Sequence, residues 1–137
     1  MNLTSIRIIT ADIQPLVSFY EKVTGLPVTK YTEDFAELRT ANATLAIGST
    51  RTLAFFGETP IASPAQNKSV IIEFMVEDVD KTYSELADFI GDNIIQKPTT
   101  MPWGNRSLLF KDPDGNLVNF FTPLSADAKQ RLAGKTV

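Results

Sequence analysis

A helix cap, an amphipathic helix and a glycine stop occur in this order twice in the chain. Asp12 and Gly25 flank the first apolar stretch with helical spacing, and Asp78 and Gly91 flank the second. The two aspartates are 66 positions apart (78 − 12). Aspartate favours helix N-caps because its side chain accepts unpaired N–H groups, and glycine tolerates the left-handed backbone that ends many helices. Strand-like segments precede and follow each helix, so the repeat predicts two βαβββ modules.

The repeat also predicts how a single α+β domain is organised. Strand-like runs follow the first helix near 27–31, 35–40, 43–48 and 52–56, and three of them are expected to form a meander. LAFFGE at 53–58 resembles VNFFTP at 118–123, which favours a last strand near 52–56. The alternative is an ordinary α+β domain whose halves are alike by chance. The predicted parts are a first module at 1–57, a linker rich in proline and small residues at 58–68, a second module at 69–123, and a tail with one short helix at 124–137.

The 137 residues include no cysteine and no histidine. Disulfides, thiolate nucleophiles and imidazole ligands are therefore excluded, and any metal would need oxygen ligands. A net charge of −3 without a run of Lys or Arg argues against a nucleic-acid surface. The apolar runs are too short for a membrane span, and the N-terminus lacks a signal-peptide pattern. We therefore expect a cytoplasmic protein that binds neither nucleic acid nor membrane.

The segment PWGNRSLLFKDPDGNLVNFF, residues 102–121, predicts a β-hairpin. Pro113 and Asp114 suit the centre of a type I turn, and Gly115 accepts the positive φ that follows. Together with TADIQPLVSFYEKVTGLPV and VEDVDKTYSEL, this hairpin resembles the glyoxalase/bleomycin resistance/extradiol dioxygenase (vicinal oxygen chelate) superfamily, most closely its bleomycin-resistance branch. The resemblance implies two βαβββ modules whose curved mixed sheets enclose a cavity, commonly in a homodimer. It leaves open whether modules pair within or between chains.

The resemblance also implies where a metal would bind. Enzymes of the family hold a divalent ion with His, Glu or Gln from the first and last strands of the modules. The corresponding positions here are Ser5, Ala54, Ile71 and Asn119. Two of these side chains have no donor atom, and the other two offer a neutral hydroxyl and a neutral amide. We therefore predict no metal and no cofactor.

Residues two apart on a strand share a face, so these positions extend into a predicted cavity wall. An apolar and aromatic wall with a few polar groups is typical of a small-molecule site. The predicted ligand-binding residues are Arg7, Phe56, Glu73, Met75, Trp103, Asn119 and Phe121.

Several of these residues admit more than one role. Arg7 and Glu73 are equivalent positions in the repeat, so we expect them to form an ion pair. This pair is purely structural, or Arg7 orients an anionic or carbonyl ligand, or Glu73 acts as a base. We expect Trp103 either to stack on a flat ligand or to pack at a dimer interface or over a sheet edge. Arg106 faces the cavity or pairs with a carboxylate on a neighbouring strand. Four aromatic residues are predicted as core more than site: Phe55, Phe56, Phe120 and Phe121.

The favoured function is metal-free binding of a small, largely apolar or aromatic molecule, either for sequestration of the antibiotic-resistance type or for sensing. The alternative is a lyase or dioxygenase-like enzyme. Such an enzyme would use Glu73 or a tyrosine as acid or base, or an oxygen-ligated metal held by carboxylates such as Glu37, Glu58 and Glu73. A third class is a structural or partner-binding dimer whose cavity is collapsed.

Overall fold

The computed structural model describes residues 1–137. The chain divides into two compact units, one formed by Met1–Asn67 with Pro113–Gly115 and the other by Lys68–Asp112 with Asn116–Val137. Each unit contains a four-stranded mixed sheet. No helix of the chain has the length and apolar character needed to cross a membrane.

The first unit has the predicted βαβββ order. Its strands β1 and β4 are parallel neighbours, and the sheet order is β1-β4-β3-β2. The elements are β1 (Ser5–Thr10), α1 (Ile13–Thr24), β2 (Val28–Thr32), β3 (Phe35–Arg39) and β4 (Thr44–Ser49), followed by a 3₁₀ helix at Thr50–Phe56.

The second unit repeats this order and adds a C-terminal helix. Its strands β5 and β8 are again parallel neighbours, and the sheet order is β5-β8-β7-β6. The elements are β5 (Ile71–Met75), α2 (Val79–Ile90), a 3₁₀ turn (Gly91–Asn93), β6 (Ile94–Thr100), β7 (Asn105–Lys111), β8 (Leu117–Pro123) and α3 (Ala126–Arg131).

The two long helices begin and end at the residues that the repeat predicts. The Asp12 side chain accepts one backbone N–H of the first turn of α1, and that of Asp78 accepts two in α2. Gly25 and Gly91 follow the helices with φ values of 68° and 57°. This left-handed backbone is strained for residues with a Cβ. Both caps and both stops are therefore confirmed.

Each helix packs on one face of its own sheet. In the first unit, the apolar stripe of α1 is buried with Leu38 and Ile47 of the sheet. In the second unit, the Phe120 ring contacts Phe110 edge-on, with ring centroids 5.0 Å apart. Edge-to-face contacts add to the free energy gained by burying the rings. The buried residues of α1 are Ile13, Leu16, Val17, Phe19, Tyr20 and Val23.

Of the four strand-like runs, the first three form β2, β3 and β4, and the run at 52–56 is not a strand. The last strand of the first module is β4, and Thr50–Phe56 forms a 3₁₀ helix. This helix is held locally, since the Ser49 side chain caps it and the Thr52 hydroxyl donates to the Ser49 carbonyl at 2.7 Å. Phe55 and Phe56 are 90% and 62% exposed, so their assignment to the core is also wrong. The core assignment of the other two aromatic residues, Phe120 and Phe121, is confirmed.

The predicted turn between β7 and β8 is closed by two buried side chains. Asp112 and Asn116 pair through their backbones, with an N···O distance of 3.0 Å from Asp112 N to Asn116 O. The Asn116 amide also donates to the Asp112 carboxylate at 2.8 Å. Gly115 has a φ of 81°, as its place in the turn predicts. The DPDGN segment therefore has a structural role: it closes the turn of the β7–β8 hairpin.

Gly104 of the PWGNR segment anchors the C-terminal tail. Its carbonyl accepts the N–H groups of Leu124 and Ser125 at 2.9 and 3.1 Å. Ser125 then caps α3 by accepting the Ala128 N–H at 3.1 Å. A Cβ at Gly104 would lie 2.7 Å from the Ser125 Cβ, which is too close for real atoms. Glycine is therefore required here because the tail occupies the space of a side chain.

Candidate functional site

Each sheet has one face that its own helix covers and one that it does not, which we call the open face. On β1, Ile8 and Thr10 are buried towards α1, whereas Ser5 and Arg7 are exposed. On β5, Ile72 is buried and its neighbours are exposed. The predicted alternation therefore holds for Ile8, Thr10 and Ile72, whereas Ile6, which was expected on the helix side, is 46% exposed.

The open face of the first sheet carries a cation on an aromatic ring. The Arg7 guanidinium carbon lies 5.2 Å from the centroid of the Phe35 ring. Arg7 is on β1 and Phe35 on β3, so the side chain crosses β4 between them. It does so above Gly48, where an added Cβ would lie 3.4 Å from Arg7 Cδ and 3.1 Å from Thr52 Oγ1. A Cβ at Gly48 would therefore crowd the Thr52 hydroxyl and come to van der Waals distance of the Arg7 side chain.

A second polar group on the same face joins β2 and β3. Arg39 donates to the Glu37 carboxylate at 2.8 Å and to the Tyr31 hydroxyl at 2.8 Å. The hydrogen bond to Glu37 raises the pKa of Arg39. Glu37, a predicted metal-ligand or acid–base candidate, is therefore engaged by a cation. Tyr31 and Arg39 were not among the predicted site residues, although the spacing of two between Glu37 and Arg39 places both on one face.

The open face of the second sheet brings together four predicted residues. Glu73 of β5 lies opposite Asn119 of β8, and Met75 lies opposite Phe121. The Asn119 amide nitrogen donates to the Glu73 carboxylate at 2.8 Å. This hydrogen bond orients the carboxylate beside an apolar surface that includes the exposed side chain of Ile71.

Arg106 lies on the other face of the second sheet. Its guanidinium donates to both carboxylate oxygens of Asp80, in the first turn of α2, at 2.6 and 2.8 Å. This bidentate contact lowers the pKa of Asp80 below its ordinary value of 3.8. Arg106 therefore pairs with a carboxylate, but the partner lies on the helix and not on a neighbouring strand.

The remaining predicted residues lie outside strands β5 and β8. Trp103 is in the turn between β6 and β7, where 57% of it is exposed and its carbonyl accepts a hydrogen bond from Arg131 at 2.8 Å. Phe56 is on the 3₁₀ helix and not on a wall strand. Arg7 and Glu73 belong to different units, and each has the partner described above within its own unit. Their ion pair stays a prediction.

The positions that hold a metal in the family do not offer a suitable donor set. The sheet topology corrects one of them: Ala46 pairs with Arg7 as Asn119 pairs with Glu73, so Ala46 and not Ala54 is the equivalent of Asn119. After this correction, two of the four metal positions still hold side chains without a metal-binding atom, Ala46 and Ile71. No group of three Asp or Glu side chains elsewhere could hold a metal ion.

The fold and the sheet topology agree with the sequence comparison. The profile of the Glyoxalase/Bleomycin resistance protein/Dioxygenase superfamily matches residues 2–120. The chain therefore belongs to this superfamily.

Similar proteins have been found in several bacteria. The uncharacterized protein YraH of Bacillus subtilis (strain 168) is 32% identical over 130 residues, which cover 90% of this chain and 100% of that protein. A glyoxalase/bleomycin resistance protein/dioxygenase from Nocardioides has a TM-score of 0.74 at 21% identity, covering 92% of this chain and 85% of that one. A protein of unknown function from Agrobacterium tumefaciens has a TM-score of 0.76 at 22% identity, covering 90% and 95%. At these identities the two solved structures show the fold alone.

Proposed function

We propose that this protein binds a small, largely apolar or aromatic molecule on its open sheet faces without a metal, and acts by sequestration of the bleomycin-resistance type. The observation that carries the proposal is the open face of the second sheet. There, an oriented Glu73–Asn119 pair lies beside Met75 and the exposed Ile71, with Phe121 almost fully buried on the same face. An apolar surface with a few placed polar groups is the usual composition of a ligand site.

The residues at the family's metal positions support binding over metal-dependent chemistry. Ala46 and Ile71 cannot donate to a metal, and the chain has no cysteine or histidine to act as nucleophile or neutral-pH base. Sequestration needs affinity and abundance only. Sequestration therefore fits the open face of the second sheet, where Glu73 and Asn119 are hydrogen-bonded to each other and no cysteine or histidine is present.

We further propose that the protein works as a cytoplasmic homodimer. Three large apolar side chains in the segment after β4 are exposed: Phe55 at 90%, Phe56 at 62% and Ile61 at 59%. Exposed apolar clusters of this kind mark protein–protein contacts. Sedimentation analysis should give a dimer that the double variant Phe55→Ser/Phe56→Ser converts to monomer. A monomeric wild-type protein would contradict this part of the proposal.

Binding can be tested with the protein's single tryptophan. Trp103 is more than half exposed, so its fluorescence should report aromatic ligands that bind near the β6–β7 turn. Calorimetry with the same compounds should give one binding event per chain, and chromatography after incubation should recover the compound unchanged. Turnover would instead support the enzyme alternative with Glu73 as base. Absence of binding across an aromatic panel would favour the structural dimer.

A further inference from the structure

The turn between β6 and β7, which carries Trp103, is closed by hydrogen bonds of its own. The Met101 N–H donates to the Asn105 carbonyl at 2.7 Å, and the Gly104 N–H donates to the Met101 carbonyl at 2.9 Å. These two bonds join β6 to β7 without help from other parts of the chain. The carbonyls of Trp103 and Gly104 take no part in them.

Both of these carbonyls accept hydrogen bonds from the C-terminal segment instead. The Gly104 carbonyl accepts the N–H groups of Leu124 and Ser125 at 2.9 and 3.1 Å, where α3 begins. The Trp103 carbonyl accepts the Arg131 guanidinium at 2.8 Å, at the last residue of α3. Two consecutive residues of the turn are therefore attached to the two ends of one short helix. We call residues 124–131 the clasp.

The helix of the clasp has little stability of its own. It spans six residues, and isolated helices shorter than about 12 residues are marginal in water. Ala128 is its one buried residue, so the apolar area that fixes the helix is small. The neighbouring strands are held more firmly, because β7 and β8 bury four large side chains almost completely: Leu108, Phe110, Val118 and Phe120. Segments with few buried contacts open locally before the core unfolds.

We propose that the clasp opens and closes while the second sheet stays folded, and that the closed clasp fixes the turn that presents Trp103. Opening releases the carbonyls of Trp103 and Gly104 together. The turn keeps its two internal hydrogen bonds, so it persists but can move. Trp103 is 57% exposed, so its ring is held through the backbone of the turn more than by packing around it. The clasp therefore determines whether this aromatic side chain is presented in one position or in several.

Hydrogen exchange on the protein without ligand tests the opening. The Ala128 amide donates to the Ser125 hydroxyl oxygen and the Lys129 amide to the Ser125 carbonyl, and both bonds require the formed helix. After correction for their intrinsic rates, these amides and that of Leu124 should show one common protection factor. This factor should be at least about tenfold lower than that of the central amides of β7 and β8. Protection equal to that of the two strands would overturn the inference.

One variant and a matched control link the opening to Trp103. Arg131→Met keeps most of the side-chain length and removes the donor to the Trp103 carbonyl, so the clasp amides should exchange about fivefold faster, as loss of one hydrogen bond implies. Trp103 is the only tryptophan, so the decay of tryptophan fluorescence anisotropy reports this turn alone. The fast component of the decay should grow in Arg131→Met. Lys129→Met removes the same charge from an exposed position of the same helix and should change neither measurement.

The combined readings decide whether the clasp holds the turn. Faster exchange with an unchanged anisotropy decay in Arg131→Met would show that the turn is fixed without the clasp, and the inference would fail. Equal effects of Arg131→Met and Lys129→Met would also contradict it, because the charge of the helix and not the bond to Trp103 would then be responsible. No change of either measurement in Arg131→Met would show that this bond does not hold the clasp. All measurements are made without ligand, so their outcome is independent of the proposed function.

Discussion

Replacing Gly104 with alanine should destabilise the second unit by detaching its C-terminal tail. The new Cβ would lie 2.7 Å from the Ser125 Cβ and 3.3 Å from the Ala128 Cβ, so the tail would have to move. That movement breaks the two N–H···O bonds from Leu124 and Ser125 to the Gly104 carbonyl. The PWGNR segment would then no longer hold α3.

The magnitude follows from two costs. Alanine at the Gly104 φ of 91° enters the left-handed side of the map, which costs about 1–2 kcal/mol. Displacing Ser125 removes the N-cap of α3, which costs about 1 kcal/mol more. We therefore expect the free energy of unfolding to fall by about 2–3 kcal/mol, summing these two costs.

Urea denaturation followed by circular dichroism measures this loss, with Gly25→Ala as the matched control. Gly25 also has a positive φ, 68°, but a Cβ there would meet nothing within 4 Å. The control should therefore cost only the backbone strain. Hydrogen exchange should also show faster exchange of the Ala128 amide in Gly104→Ala alone. Equal losses in both variants, with unchanged exchange in α3, would refute the role assigned to Gly104.

Three further changes test other contacts. Asp78→Ala removes the cap that accepts two N–H groups of α2 and should lower the free energy of unfolding by about 1 kcal/mol; thermal unfolding unchanged from wild type would contradict the cap. Arg106 lowers the pKa of Asp80 in the folded protein below the ordinary value of 3.8. The stability that this ion pair contributes should therefore be fully present above pH 3.8. It should be lost as the pH falls through the lower, folded-state pKa of Asp80. The free energy of unfolding measured against pH should lack this acid-dependent part in Arg106→Gln. The same pH dependence in the variant and the wild type would disprove the contribution of the Arg106–Asp80 pair. Gly48→Ala would place a Cβ 3.1 Å from Thr52 Oγ1 and should disturb the hydrogen bond from that hydroxyl to the Ser49 carbonyl, seen as a changed ¹³Cβ signal of Thr52; an unaltered signal would show that the strands relax around the new methyl group.

Local signals predicted most of the fold correctly. The caps at Asp12 and Asp78 and the glycine stops concern residues within one helical turn, so the sequence near them is sufficient. Alternation along β1 and β5 is equally local. These signals placed Glu73, Met75, Asn119 and Phe121 on one face before any contact was known.

The similarity between LAFFGE and VNFFTP favoured a wrong strand because it is a similarity of residue types and not of positions in the sheet. A strand is decided by its neighbour across the sheet, and β4 pairs with β1 in the first unit. Thr50–Phe56 is left without a strand partner and forms a 3₁₀ helix. The position of Phe56 in the fold could therefore not be predicted from the alignment of its segment with that of Phe121.

The amino-acid sequence by itself determined the repeat, the helix ends, the hairpin turn and the absence of cysteine and histidine, because each depends on residue type or on neighbours along the chain. Only the tertiary structure decided which side chains meet. Arg7 lies on Phe35, Glu73 accepts from Asn119, and Ser107 is buried without a partner because of sheet pairing between distant segments. Hydrogen bonds and burial depend on positions in space, and those positions arise when the strands pair.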